Sequence, residues 1–353
     1  MAEVAKFIGL VASVLFLAAC SAGAGVGPSL DGGLGDASPA DLGRPIDAGG
    51  YDLARPDLGP PPDLGTPCTG APYPILLHHG FFGFDSIGPL NYYYQVAADL
   101  RARGETVVEA SIDPIQSSEV RGAELAALID STLETTGACK VNVIAHSQGG
   151  LDVRYVIGSL GYGDRIASVV TVATPHRGTR VADAVLGLVP GGSQALLDFF
   201  AHIVGRVLYS PMEDSDLMAS LRSLSQANVS AFDAANPDDP RVAFYSIAGR
   251  SNLDHDDAEC GTALWPNPTG NDPIDALLSP TGAFLRGNVF DPTVNDGLVT
   301  VASAKWGTFL ACIPADHFDE VGQIADRGAD PISGFDHLDF YERVVTFLHG
   351  RAF

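Results

Sequence analysis

Residues 141–150 read Val-Asn-Val-Ile-Ala-His-Ser-Gln-Gly-Gly. An apolar run of strand length stops on a serine, an amide and two glycines. A buried strand gains nothing from such an ending. A sharp strand–turn–helix does, because the backbone at Ser147 is forced into a strained turn and its neighbours must be small. This stretch therefore commits the chain to one strand, one tight turn and one helix. It also puts the Ser147 hydroxyl at a helix N-terminus, where backbone N–H groups favour negative charge.

The surrounding sequence repeats the same alternation. Residues 73–79, 106–112, 140–146, 165–175 and 241–249 are apolar runs of strand length. Between them, 92–104, 117–137 and 148–161 place apolar residues at helical spacing, the longest opened by Ser117 or Ser118 as cap. Strands alternating with helices predict βαβ units, a mostly parallel central sheet and helices on both faces. Combined with the turn at Ser147, the expected fold is an α/β-hydrolase. No internal repeat is evident. Residues 191–209 are apolar around much of the helical circumference, so they are expected to be buried or to cover something apolar and move.

The chain has 353 residues, 46% of them hydrophobic, enough for one large core or two modest ones. Its 43 acidic residues against 20 Lys and Arg give a net charge of −23. That balance excludes nucleic acid as a partner, since no basic stripe could neutralise phosphates. It suits an extracytoplasmic surface and cation binding.

Residues 7–20 form an apolar run behind Lys6, ending Leu-Ala-Ala-Cys. The run is short for a membrane span and has the proportions of a secretory signal. Its end resembles a bacterial lipobox, which implies cleavage before a lipid-modified Cys20; an ordinary signal peptide is the alternative. Ser21 after the cysteine points to the outer membrane or cell surface. Residues 21–67 are rich in Gly, Pro, Ala and Asp, with Asp-Leu-Gly recurring at 41, 57 and 63. They read as a disordered tether between the signal, 1–20, and a folded domain, 68–353.

Setting Cys20 aside leaves Cys68, Cys139, Cys260 and Cys312. An even number in an exported protein suggests two disulfides. Cys68 and Cys139 each precede a strand; if those strands are parallel neighbours, the two thiols share one sheet edge. Cys68–Cys139 is therefore expected, and Cys260–Cys312 by elimination. Free thiols or a zinc site are the alternative, although no C-x-x-C spacing supports zinc.

Ser147 needs partners. Residues 78–83, His-His-Gly-Phe-Phe-Gly, close the first strand, and a glycine there lets the chain bend over the serine. The backbone N–H groups of Phe81 and Gln148 would then face a developing oxyanion, with His79 bracing the loop. An acid and a histidine should follow in that order. Asp296 in Val-Asn-Asp-Gly-Leu-Val-Thr and His317 in Pro-Ala-Asp-His-Phe-Asp-Glu meet the requirement. His337 mimics His317, but its surroundings have the amphipathic pattern of a C-terminal helix.

Taken in order, YPILLHHGFFGFD, VNVIAHSQGG, TVATPHRGT, NDPIDALL, NDGLVT and DHFDEVGQ resemble the motifs of the bacterial family I triacylglycerol lipases, the Pseudomonas/Burkholderia type. The resemblance implies Ser147, Asp296 and His317 as triad, Phe81 and Gln148 as oxyanion hole, and a helical lid over an acyl-binding cleft. The lid would span about 180–225 and include 191–209. It further implies a structural Ca²⁺ held by the carboxylates of Asp272 and Asp319 and the carbonyls of Gln323 and Arg327. Calcium prefers such hard oxygen ligands, and fixing Asp319 would hold the loop of His317. Many relatives need a membrane-bound foldase, a partner to expect here too. Two features depart from the family: it has a cysteine soon after the Asn-Asp-Gly motif, where this chain has Thr300-Val301-Ala302, and its members are usually secreted free. The expected activity is hydrolysis of lipid carboxylic esters, triacylglycerols first, through an acyl-enzyme on Ser147. A short-chain carboxylesterase or polyester depolymerase is one alternative. A non-catalytic surface-binding lipoprotein is another.

Overall fold

A computed structural model describes residues 67–81, 86–87, 90–189, 214–251, 257–266, 268–288, 291–323 and 328–353. Cys20, the tether up to residue 66, the 191–209 segment and Arg327 lie outside the described residues.

The apolar runs become strands β1 (Ile75–His78), β2 (Val107–Glu109), β3 (Val141–His146), β4 (Ile166–Val172), β5 (Ala243–Gly249) and β6 (Thr308–Ile313). Among the described residues they form a single six-stranded sheet in the order β6-β5-β4-β3-β1-β2, every pair parallel. Parallel strands buried on both faces need helices on each side. On one face α1 (Val96–Ala102) and α8 (His337–His349) cover Ile75, Leu77, Ile144, Val170 and Ile247. On the other, α2 (Ser118–Thr136) and α3 (Gly149–Gly158) cover Leu76, Val143, Ala145 and Val169. Neighbours such as Leu76 and Leu77 fall on opposite faces because a strand's side chains alternate. The smaller helices α4 (Arg180–Val185), α5 (Asp214–Leu224), α6 (Val229–Ala235) and α7 (Ser279–Arg286) belong to the connections after β4 and β5.

Local chemistry accounts for the boundaries. Ser117 caps α2 by accepting from Val120 N–H, and Gly137 ends it in the left-handed conformation, φ 69°, donating to the Leu133 carbonyl. The expected helix over 92–104 is shorter, starting at Val96. Tyr92 and Tyr93 do not spiral into it. Their hydroxyls reach His146 Nδ1 and the His78 carbonyl instead. The expected strand over 106–112 pairs only through Val107–Glu109, because the edge strand has one neighbour and then turns towards Pro114.

Both expected disulfides form, Cys68–Cys139 and Cys260–Cys312. The first follows from β1 lying beside β3. The second joins β6 to a short helix at Asp257–Cys260, inside a small core with Val294, Val299 and Val301.

The chain winds outward from β1 to β2, then returns to β3 on the other side of β1 and continues to β6. In open sheets of this kind the ligand site falls where the winding direction reverses, which here is beyond the carboxyl ends of β1 and β3. Register pairs His78 with Ala145 there, so the loop after β1 runs beside Ser147.

Candidate active site

Ser147 follows the last residue of β3 with φ +54°, a left-handed conformation that a non-glycine side chain adopts only under local constraint. Its N–H donates to Val172 of β4 at 2.9 Å, which ties the turn to the sheet. Two glycines show how tightly the turn is packed. A Cβ on Gly80 would lie 2.5 Å from Ser147 Cβ, and one on Gly149 would lie 2.8 Å from the carbonyls of His78 and His79. The backbone after β1 is therefore pressed against the serine, and any side chain at either position would push it away.

Ser147, Asp296 and His317, separated by up to 170 residues, converge here. His317 Nε2 is 3.0 Å from Ser147 Oγ, and His317 Nδ1 is 2.8 Å from Asp296 Oδ2. The carboxylate can only accept, so Nδ1 carries the proton and Nε2 accepts from the serine hydroxyl. Asp296 Oδ1 accepts from the N–H groups of Leu298 and Val299 at 2.8 and 2.7 Å, and the His317 N–H donates to the Asp296 carbonyl. The acid is thus fixed by its own turn before it orients the imidazole. All three residues are buried.

The two expected oxyanion donors border the same serine. Gln148 begins the turn into α3, and Phe81 follows Gly80, its ring packed on a cluster containing Leu151, Ala182 and Leu221. His79 is buried and its Nδ1 lies 3.0 Å from the Gly80 carbonyl, a bracing position. Burial, with Arg121 and His78 adding to it, pushes its imidazole down to about 3. His337 opens α8, donates to the Tyr94 carbonyl and stands apart from the triad.

Behind the triad lies a polar layer that sequence reasoning did not reveal. His146 Nε2 is 2.8 Å from Glu320 Oε2, and His146 Nδ1 is 2.6 Å from the Tyr92 hydroxyl. Burial, then the neighbouring Asp296 and Asp316, raises the Glu320 carboxyl well above its ordinary value. Burial likewise holds His146 well below the usual histidine range, with His317 adding to it. The only hints were positional: His146 precedes the serine, and Glu320 lies three residues after His317.

Of the expected calcium ligands, Asp272 and Asp319 come together, joined by Asp316, with carboxylate oxygens within 4.8 Å of one another. Asp316 is already engaged. Its Oδ1 accepts from Phe318 and Asp319 N–H, and its Oδ2 accepts from Asp275 N–H, stitching the two loops together. Asp272 is buried and its Oδ2 has no hydrogen-bond partner. Burial, with Asp316, Asp330 and Asp275 nearby, pushes the Asp272 carboxyl up to about 8. Clustered acids of this kind, one with an orphaned buried oxygen, fit a hard divalent cation. Gln323 follows Asp319 by four residues; its N–H donates to the Phe318 carbonyl and its side-chain amide to the Tyr92 carbonyl.

The sheet order and the turn after β3 define an α/β-hydrolase, and a family model described as alpha/beta hydrolase fold matches residues 73–212. A triacylglycerol lipase of Pseudarthrobacter phenanthrenivorans is 31% identical over 301 residues, covering 74% of this chain and 93% of that protein. One from Vibrio cholerae is 33% identical over 261 residues, covering 72% and 80%. The chain belongs to this triacylglycerol lipase family of carboxylic ester hydrolases. Among solved structures, the mature Bacillus licheniformis lipase superposes with a TM-score of 0.55 at 20% identity, covering 79% of this chain and 93% of that one. This match speaks to the fold.

Proposed function

We propose that the protein hydrolyses carboxylic esters of lipids, triacylglycerols first among them, through an acyl-enzyme on Ser147. The hydrogen-bonded chain Ser147–His317–Asp296 is the observation that carries this reading. Ser147 Oγ attacks the ester carbonyl carbon while its proton passes to His317 Nε2. The charge that develops on the carbonyl oxygen falls between the backbone of Phe81 and Gln148. One such donor is typically worth ~3 kcal/mol of transition-state stabilisation. When the tetrahedral species collapses, the C–O bond to the alcohol breaks and His317 returns the proton to the leaving oxygen. Water then repeats the sequence on the acyl-enzyme and frees the acid. Asp296 keeps the imidazole in the accepting tautomer throughout and stabilises its charged form.

Asp272 and Asp319 would hold a Ca²⁺, with Gln323 and Arg327 contributing carbonyls. When bound, the ion supplies a cross-link between the Asp272 loop and the loop that begins at His317. Cys20 would carry a lipid anchor at the outer membrane or cell surface, and residues 21–67 would set the domain's distance from it. The Leu-Ala-Ala-Cys ending supports that part of the reading.

The test is a series of p-nitrophenyl esters from acetate to palmitate, with emulsified triacylglycerol beside them. Turnover of long-chain esters, lost in Ser147→Ala, is the expected result. Turnover confined to acetate and butyrate would favour a short-chain esterase. A folded protein whose serine fails to react with a fluorophosphonate would favour a binding protein.

A further inference from the structure

Arg121 is the bulkiest of the fully buried side chains among the described residues. It lies in the first turn of α2. A buried guanidinium costs several kcal/mol unless charge and hydrogen bonds compensate it, so its partners matter. Nε donates to Asp152 Oδ2 at 2.8 Å, one Nη to the Asp113 carbonyl, and the other Nη to the His79 carbonyl at 2.6 Å. His78 Nε2 meets the same Asp152 oxygen at 2.9 Å. Burial opposes ionisation of Asp152, but Arg121, the His78 hydrogen bond and Ser118 together hold its carboxyl below the usual carboxylate range. Burial keeps His78 below the usual histidine range despite Asp152, and because a carboxylate can only accept, His78 Nε2 is the donor of their bond.

The partners belong to the two pieces of chain that border Ser147. Asp152 sits in the first turn of α3, the helix introduced by Gln148. His78 ends β1, and His79 follows it on the way through Gly80 to Phe81. A Cβ on Gly149 would lie 2.8 Å from the carbonyls of His78 and His79, so there is no room for a side chain between the two pieces. Arg121 links the two pieces, donating to Asp152 on one and to the His79 carbonyl on the other.

We propose that Arg121, Asp152 and His78 are positioning residues that set the separation of the two oxyanion donors, Phe81 and Gln148, and so act on turnover without touching the ester. This rests on the reading of Ser147 as nucleophile. An oxyanion donor works only within hydrogen-bond distance of the charge that develops, and a misplacement of ~1 Å can cost on the order of 10²-fold in rate. Because the charge appears only in the transition state, the loss falls on kcat rather than KM.

Two substitutions separate this role from a role in folding. Asp152→Asn keeps the shape and removes the charge. Arg121→Lys keeps the charge and removes the fork that spans both pieces. Each variant is titrated with a fluorophosphonate, so that kcat is expressed per reactive serine. The affinity of an alkylboronic acid, which forms a tetrahedral adduct on the serine, is measured alongside. The expected result is a fall in kcat per site of about 10-fold for Asp152→Asn and about 10- to 100-fold for Arg121→Lys. KM should stay within about twofold and the boronic acid should weaken by the same factor as kcat. If only the titratable fraction falls while kcat per site and boronic acid affinity hold, the cluster serves the fold alone and the inference is overturned. If the unaltered protein itself fails to titrate, the reading of Ser147 fails first and takes this inference with it.

Discussion

Ser147 and His317 meet at 3.0 Å but are held there by different means. The serine half is placed by regular structure. β3 runs straight into α3, flanked by β1 and β4, and the left-handed turn between them is held by a backbone bond to β4. The acid–base half sits on irregular chain. Asp296 lies 47 residues beyond the end of β5 and His317 four beyond the end of β6, both in loops. Side chains do there what the sheet does for the serine. Asp316 caps one loop and pins the other, Asp296 caps its own turn, and Cys260–Cys312 ties β6 back to the segment after β5. A hydroxyl can be placed by secondary structure alone. An imidazole and a carboxylate arriving from two long connections need cross-links.

The largest expected effect is chemical. Ser147→Ala should lower kcat by at least ~10³-fold and leave the melting temperature close to that of the unaltered protein. The turn at 147 is held by backbone, so removing the hydroxyl should not loosen it. A large drop in melting temperature would break the comparison from the serine side.

The two disulfides test it from both sides. They close loops of 71 and 52 residues, so the chain-entropy model assigns each ~4 kcal/mol of stability. Their consequences for catalysis should differ. Replacing Cys68 and Cys139 with alanine removes a link ahead of β1 and β3, at the opposite end of the sheet from Ser147. Kcat per titrated serine should be unchanged. Replacing Cys260 and Cys312 frees β6 just before His317, and kcat per site should fall as well as stability. Chemical denaturation read beside active-site titration separates the two outcomes. Equal kcat in both variants would mean that the acid–base loops hold themselves.

Chelation probes the same loops more gently. An ion present at ~100 times its Kd stabilises a fold by ~2.7 kcal/mol. EDTA should therefore lower the melting temperature, and added Ca²⁺ should restore it. Asp272→Asn, which removes the buried carboxylate with the unpartnered Oδ2, should abolish the response to both. A melting curve indifferent to EDTA and calcium would exclude the ion as a cross-link.

The same contrast explains what could be read in advance. The serine half was legible because its signals are local: an apolar run, a small-residue turn and a helix, all within 141–158. Asp296 and His317 were found by chain order, and the disulfides by strand adjacency and elimination. Asp316 escaped notice because its role is to accept backbone N–H groups, which a sequence of many aspartates does not distinguish. Glu320 escaped because its neighbour His146 is 174 residues away and only the folded core excludes water from both. The strand Thr308–Ile313 was not singled out either. Its apolar run is short, and the bulge between Phe309 and Ala311 interrupts the alternation. Tyr92 and Tyr93 looked like helix because their spacing fits one, while their hydroxyls are satisfied only outside it.

The smallest expected effect compares two helix caps of similar chemistry. Ser117 accepts from Val120 N–H at 3.4 Å at the start of α2, in the scaffold. Thr300 accepts from Ser303 N–H at 3.2 Å at the start of a short helix, and its backbone pairs with Asn295 beside Asp296. Replacing either with alanine should cost ~1 kcal/mol of stability. Ser117→Ala should leave kcat per titrated site untouched, because α2 is held by its whole buried face. Thr300→Ala relaxes the turn whose N–H groups hold the Asp296 carboxylate, so kcat should fall a few-fold at an equal cost in stability. The pair isolates position from strength. If both variants lose the same stability and neither loses turnover, the Asp296 turn is as rigid as the sheet and the contrast between the two halves fails at its finest scale.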